Sequence, residues 1–188
     1  MQSQIRTFVA IKIHPDEKLL RQIRTFKHVF DGERINWVPE DQFHLTLRFI
    51  GNTTREQLYE LVDRFEILMD EYKSFELQIT GAGYFNSKGQ PRVLFVKIAD
   101  SVALQKLAAS IESNVTAVGF QQELKAFRPH LTLGRIKHLK NKNRFILHLD
   151  DLEETEYQKV NVTSFILYQS ILRAEGPIYK TIKIFELK

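Results

Sequence analysis

Apolar and polar positions along this chain alternate between a two-residue rhythm and a three-to-four-residue rhythm, and the switches mark its elements. Val9-Ala10-Ile11-Lys12-Ile13 reads as a buried strand. After Pro15-Asp16-Glu17, a good helix start, Leu19, Leu20, Ile23, Phe26 and Phe30 recur at helical spacing. The same unit returns further on. Leu94-Phe95-Val96-Lys97-Ile98 reads as a strand, and Leu104, Leu107, Ala108, Ile111 and Val115 follow Asp100-Ser101 at helical spacing. A third helix is predicted after Gly51-Asn52-Thr53-Thr54, on Leu58, Leu61, Val62, Phe65, Leu68 and Met69. A strand is expected near Phe75 to Thr80, followed by a polar loop from Gly83 to Pro91 that would be mobile or crossing. The alternation of Phe145, Leu147 and Leu149 predicts another strand. The chain closes with an expected hairpin: Val160 to Leu172, a Gly176-Pro177 turn, and Ile178 to Leu187.

Two stretches repeat almost word for word. His44-Leu45-Thr46-Leu47 and His130-Leu131-Thr132-Leu133 lie 86 positions apart, and the strands before them lie 85 apart. By composition alone the tetrapeptide is expected about 0.004 times per chain, so two copies are not an accident of usage. The repeat predicts an α+β fold built as a bilobal pseudo-two-fold repeat. Each lobe would be a mainly antiparallel sheet with helices on its outer face, and the active-site groove would lie between the lobes. The sequence halves fall roughly at 1–85 and 86–188. No linker separates them, so residues 1–188 are expected to form one domain whose lobes share strands.

Bulk composition narrows the class. A chain of 188 residues with 43% hydrophobic and 27% charged residues suits an ordinary globular protein. No apolar run reaches transmembrane length, and the N-terminus lacks a signal-peptide core. Cysteine is absent, which removes disulfides and thiolate chemistry and fits a cytoplasmic protein. A net charge of +4 and a pI near 9.2 are compatible with a polyanionic partner without demanding one. Nothing in the pattern requires a dimer, so a monomer is expected.

The repeated tetrapeptide carries the candidate chemistry. Alternation on a strand puts His44 and Thr46 on one face, with Phe43, Leu45, Leu47 and Phe49 on the other. In the second copy His130 and Thr132 share a face while Pro129, Leu131 and Leu133 share its opposite. Imidazole titrates near neutrality, so one ring can hold a proton while its partner takes one. Threonine hydroxyls can hydrogen-bond phosphate oxygens where charge builds. The two motifs are chemically alike, so the residues alone do not divide acid from base. His14, His28, His138 and His148 form no zinc-ligand spacing, and no glycine-rich phosphate loop is present, so neither a metal nor a cofactor is expected. The basic stretch Lys137 to Arg144 reads as a solvated turn.

These residues resemble the two-histidine (2H) phosphoesterases and, within them, the RNA 2′,3′-cyclic phosphodiesterases, also called 2′-5′ RNA ligases. The likeness extends over Arg6-Thr7-Phe8-Val9-Ala10, Trp37-Val38, Leu47-Arg48-Phe49-Ile50-Gly51, Pro91-Arg92-Val93-Leu94, Phe127-Arg128-Pro129, Ser170-Ile171-Leu172, Gly176-Pro177 and Tyr179. The chain departs at Phe95-Val96-Lys97, where the family often has Trp-x-Gly. The resemblance implies opening of an RNA 2′,3′-cyclic phosphate end to a 2′-phosphomonoester, with no metal and no cofactor. It implies His44 as proton donor to the leaving 3′-oxygen and His130 as proton acceptor from water. Thr46, Thr132 and Arg135 would bind the phosphate. Strict alternation places Arg135 on the core face, so it needs a bulge or the strand's end to reach the groove. Arg48 shares the His44 face and is a further candidate contact, while Phe8 and Trp37 could stack a nucleobase. Two other readings stay open: the same site acting on another cyclic or 2′-5′ phosphodiester, including reversible 2′-5′ ligation, and an RNA-end-binding module without turnover.

Overall fold

Helices begin where capping side chains stand. The computed structural model describes residues 4–153, 155–174 and 176–188. Asp16 caps α1 (Glu17–Val29) by accepting from the Leu19 amide at 2.8 Å. Thr54 and Gln57 form a reciprocal capping box at the start of α2 (Arg55–Glu71), and Ser101 caps α3 (Val102–Ala117). Their apolar stripes are buried: Leu19, Ile23 and Phe26 on α1, Leu61, Phe65 and Leu68 on α2, Leu104, Leu107 and Ile111 on α3.

Among the described residues nine strands join in one sheet: β1 (Ile5–Lys12), β2 (Arg34–Trp37), β3 (His44–Thr53), β4 (Phe75–Ser87), β5 (Gln90–Ile98), β6 (His130–His138), β7 (Glu156–Val162), β8 (Ser164–Arg173) and β9 (Gly176–Glu186). Among the described residues every pairing is antiparallel, in the order β7-β4-β5-β6-β3-β1-β8-β9, with β2 alongside β6. The motif strands β3 and β6 meet at the centre through Leu45 and Leu131. On the β6 side stand β5 and β4, a hairpin. On the β3 side stand β1 and β8. Each end of the sheet therefore contains strands from both sequence halves. Helices are exchanged too: α1, from the first half, packs on β7, while α3, from the second, packs on β3. One continuous core runs beneath, including Val9, Ile11, Phe26, Phe43, Leu45, Phe65, Leu131, Leu133, Phe145 and Phe165.

Three sequence expectations change. The polar segment from Gly83 to Pro91 is not a loop. It completes the β4–β5 hairpin around Lys88-Gly89, both at positive φ (51° and 73°), the twist a two-residue hairpin turn needs. The segment Phe145 to Leu149 is helical, within α4 (Lys142–Asp150), capped by Asn141. Phe145 and Leu149 are buried one turn apart, whereas Leu147, inward on a strand reading, is 65% exposed. Five residues are too few to separate the two periods. His148 thus lies on a helix, edge-on to Phe26 and Phe30, and the basic stretch Lys137 to Arg144 spans the end of β6 and the start of α4. Finally, the strand expected from Val160 to Leu172 breaks at Thr163. Its two parts pair at distant places in the sheet, β7 with β4 and β8 with β1.

Candidate active site

The ladder registers define one polar face. Residues directly opposite in an antiparallel pair point to the same side. Lys12 is opposite His44 and Ala10 opposite Thr46 on the β1–β3 pair. Lys97 is opposite His130 and Phe95 opposite Thr132 on the β5–β6 pair. With Leu45 facing Leu131 between them, both His-x-Thr pairs stand on adjacent central strands, all four side chains half-buried, with the leucines in the core.

Both motif strands carry a bulge one step past the threonine. In β3 the register slips at Leu47, and in β6 it slips at Leu133. A bulge reverses the phase of everything after it. In β6 it frees Arg135 from the core face: Arg135 is exposed, lies opposite Val93, and disfavours protonation of both His44 and His130. Gly134 at the bulge is buried, and a Cβ there would stand 2.7 Å from Ile35 of β2, so no larger residue fits against that strand. In β3 the bulge works the other way on Arg48. Its side chain, 10% exposed, turns from the groove to Glu112 of α3, to the Gln121 carbonyl at 2.6 Å and to the Phe49 carbonyl at 2.6 Å. Phe49 takes the groove-face position instead, opposite Phe8 and 60% exposed. Arg48 is therefore corrected from a substrate contact to a tie between the motif strand and the 121–123 segment.

The rings are held alike. His44 Nδ1 lies 2.7 Å from the Gln42 carbonyl, and His130 Nδ1 lies 2.7 Å from the Arg128 carbonyl. A carbonyl only accepts, so each Nδ1 carries the proton and donates it. That fixes the tautomer and leaves each Nε2 free to accept a proton. The surroundings differ. His44 packs on Phe8 (centroids 5.3 Å) and edge-on to Tyr179 (5.1 Å), with Tyr168 stacked on Phe8 behind them. His130 packs edge-on to Phe85 (4.7 Å) and against Phe95 (5.2 Å). Burial is the largest influence on both rings and pushes both below the ordinary histidine value, against the opposing pull of the carbonyl bonds. At His44 the charges of Lys12, His130 and Arg135 push the same way; at His130 the charge of Arg135 does.

Phe8 is 1% exposed, so it has no free face for a base and serves as the floor under His44. Trp37, half-buried at the end of β2, lies opposite Gly134 and packs on the core. The composition-based reading missed Lys12, Phe85 and Tyr168. The signal for Lys12 was present, because Lys12 and Lys97 occupy the same place in the repeated strand. Phe85 was hidden in a segment that looked like a loop. Among the described residues no cluster of three or more His, Asp or Glu side chains has the proximity a metal ion needs, and no helix is long and apolar enough to cross a membrane.

Two histidines with fixed tautomers, each beside a hydroxyl on a curled antiparallel sheet, define a two-histidine phosphoesterase arrangement. The chain belongs to the 2′-5′ RNA ligase superfamily, whose family profile matches residues 15–170. It is 34% identical over 158 residues to an RNA 2′,3′-cyclic phosphodiesterase of Aeropyrum pernix, covering 84% of this chain and 88% of that one. A Thermotoga maritima protein of the same name is 32% identical over 178 residues, covering 95% and 93%. The crystal structure of TT0787 of Thermus thermophilus superposes with a TM-score of 0.79 at 27% identity, covering 97% of this chain and 98% of that one.

Proposed function

We propose that this protein hydrolyses RNA 2′,3′-cyclic phosphate ends to 2′-phosphomonoester ends, without a metal ion, using His44 as proton donor and His130 as proton acceptor. The observation that carries this is the matched pair of rings, each with Nδ1–H tied to a main-chain carbonyl and Nε2 left for chemistry. In the forward step His130 Nε2 takes a proton from water as its oxygen bonds to phosphorus. The P–O3′ bond breaks, and His44 Nε2 delivers its proton to the departing 3′-oxygen, leaving the phosphate on O2′. Thr46, Thr132 and Arg135 receive the non-bridging oxygens, whose charge grows in the transition state. Burial and neighbouring cations disfavour the charged form of both rings. The substrate's negative charge offsets that repulsion and lets one ring hold the required proton.

The same reading takes the two halves as related by an approximate two-fold passing between Leu45 and Leu131, within one bilobal domain. The lack of cysteine fits a cytoplasmic setting. Acceptance of other cyclic or 2′-5′ phosphodiesters, and reversal to ligation, would use the same groups. The test is incubation of the purified protein, in excess EDTA, with a short RNA bearing a 2′,3′-cyclic phosphate. Ring opening at the rate seen without EDTA is expected from the wild type. Loss of turnover under EDTA, or RNA binding with no ring opening between pH 5 and 9, would overturn the proposal.

A further inference from the structure

Two lysines stand in matching places, and among the described residues only Lys97 forms an ion pair with a carboxylate. Lys97, opposite His130, has its Nζ 2.8 Å from Glu153 Oε1. Lys12, opposite His44, is half-buried, and among the described residues its ammonium hydrogen-bonds the Asp41 main-chain carbonyl. The Asp41 carboxylate, which lines the same cavity, favours the charge of Lys12 without forming an ion pair with it among the described residues, so the ammonium stays available to an incoming anion. Lys12 also lines a cavity of about 380 Å³ with His44, Gln42, Tyr168, Tyr179 and Thr181. The cavity lies between β1, the short turn at Glu40–Gln42 and the β8–β9 hairpin. Its phenol rings, aliphatic side chains and hydroxyl suit a nucleoside, and its volume falls within the range of small-molecule sites.

We propose that Lys12 is a substrate-binding cation: it meets the phosphate on the His44 side of the groove while the cavity beside it receives the ribonucleoside that carries that phosphate. This rests on the reading that the groove takes a phosphate ester. The charged and titratable groups around His44 are Lys12 from β1, His130 and Arg135 from β6, Tyr179 from β9, and Asp41 from the turn before β3. Lys12, Arg135 and a protonated His130 repel a proton on His44, and a phosphate anion placed among them removes that repulsion. Lys97 has no such part, because Glu153 already neutralises it.

The experiment is calorimetric titration of inorganic phosphate and of adenosine 2′-monophosphate into wild type, Lys12→Met, Lys12→Arg and Lys97→Met. Loss of a charged hydrogen bond weakens binding about tenfold, which is expected for both ligands in Lys12→Met. Lys12→Arg should stay within about threefold of wild type, and Lys97→Met should not change. In parallel, NMR titration of the imidazole carbons should show His44 moving up toward its ordinary value in Lys12→Met, with His130 unmoved. Wild-type affinity in folded Lys12→Met, or an equal loss in Lys97→Met, would overturn the proposal. Neither readout needs turnover. If the wild type failed to open cyclic phosphates yet these shifts appeared, the hydrolase reading would fall and the role of Lys12 would stand.

Discussion

The His44 and His130 sides of the groove carry the same four-residue motif and the same carbonyl bond to Nδ1, yet they are different chemical environments. His44 stands on a buried phenylalanine, beside two tyrosines and an ammonium that hydrogen-bonds the Asp41 carbonyl and is in no ion pair among the described residues. His130 stands between Phe85 and Phe95, with its matching lysine tied to Glu153. The motif positions the two rings; burial and the charges of Lys12 on β1 and Arg135 on β6 lower the value of His44, while burial and Arg135 alone lower that of His130. A duplicated sequence can therefore supply two unlike partners for one reaction, as acid–base catalysis requires.

The largest test of the comparison is removal of either ring. His44→Ala and His130→Ala should each lower kcat by about 10²–10⁴-fold, with circular dichroism unchanged. Single-turnover kinetics on a cyclic-phosphate RNA separates chemistry from product release, and near-wild-type rates in one variant would break the pairing. Next in size are the floors beneath the rings. Phe8, 1% exposed, should cost about 3–5 kcal/mol of stability as Phe8→Ala. Phe85 is only half-buried, so Phe85→Ala should cost clearly less, and the two midpoints of urea unfolding give the contrast. Thr46→Val and Thr132→Val remove one hydroxyl each from the phosphate and should lower kcat by about 10–10²-fold, read from initial rates.

The smallest effect is on pH. Both rings have lowered values, mainly through burial, so both lose their protons below the ordinary histidine value. In the free enzyme the base limb and the acid limb of the kcat/KM profile both shift down, placing the optimum on the acidic side of about 6.5. Activity then declines as pH rises and His44 loses its proton. The stability sign follows as well. The folded state resists protonation that the unfolded chain accepts, so this contribution is full above the unfolded value and is lost as pH falls through the folded one. Thermal midpoints measured from pH 7.5 downward should show that decline more weakly in a His44→Phe variant.

Much of this was legible in the sequence because its signals were long or repeated. Helices α1, α2 and α3 each span three or more turns with a capping residue at the start, and their boundaries followed. His44, Thr46, His130 and Thr132 were readable because strand alternation decides their face within four residues. What lay beyond the next step was not. One bulge at Leu133 turns Arg135 into the groove, while the equivalent bulge at Leu47 turns Arg48 out of it, and neither shows in the composition of the strand. The pairing of β8 with β1, which brings Tyr168 behind Phe8, is a long-range choice that no local period encodes. Helix α4 was misread because Phe145, Leu147 and Leu149 satisfy a strand as well as Phe145 and Leu149 satisfy a helix turn.

The most direct measurement is the identity of the product end. A short RNA with a 2′,3′-cyclic phosphate, turned over by the wild type and followed by phosphorus NMR, reports which oxygen leaves. Proton donation from His44 to O3′ opposite a water activated by His130 predicts a 2′-phosphomonoester as the sole product. A 3′-phosphomonoester, or a mixture of the two, would contradict it.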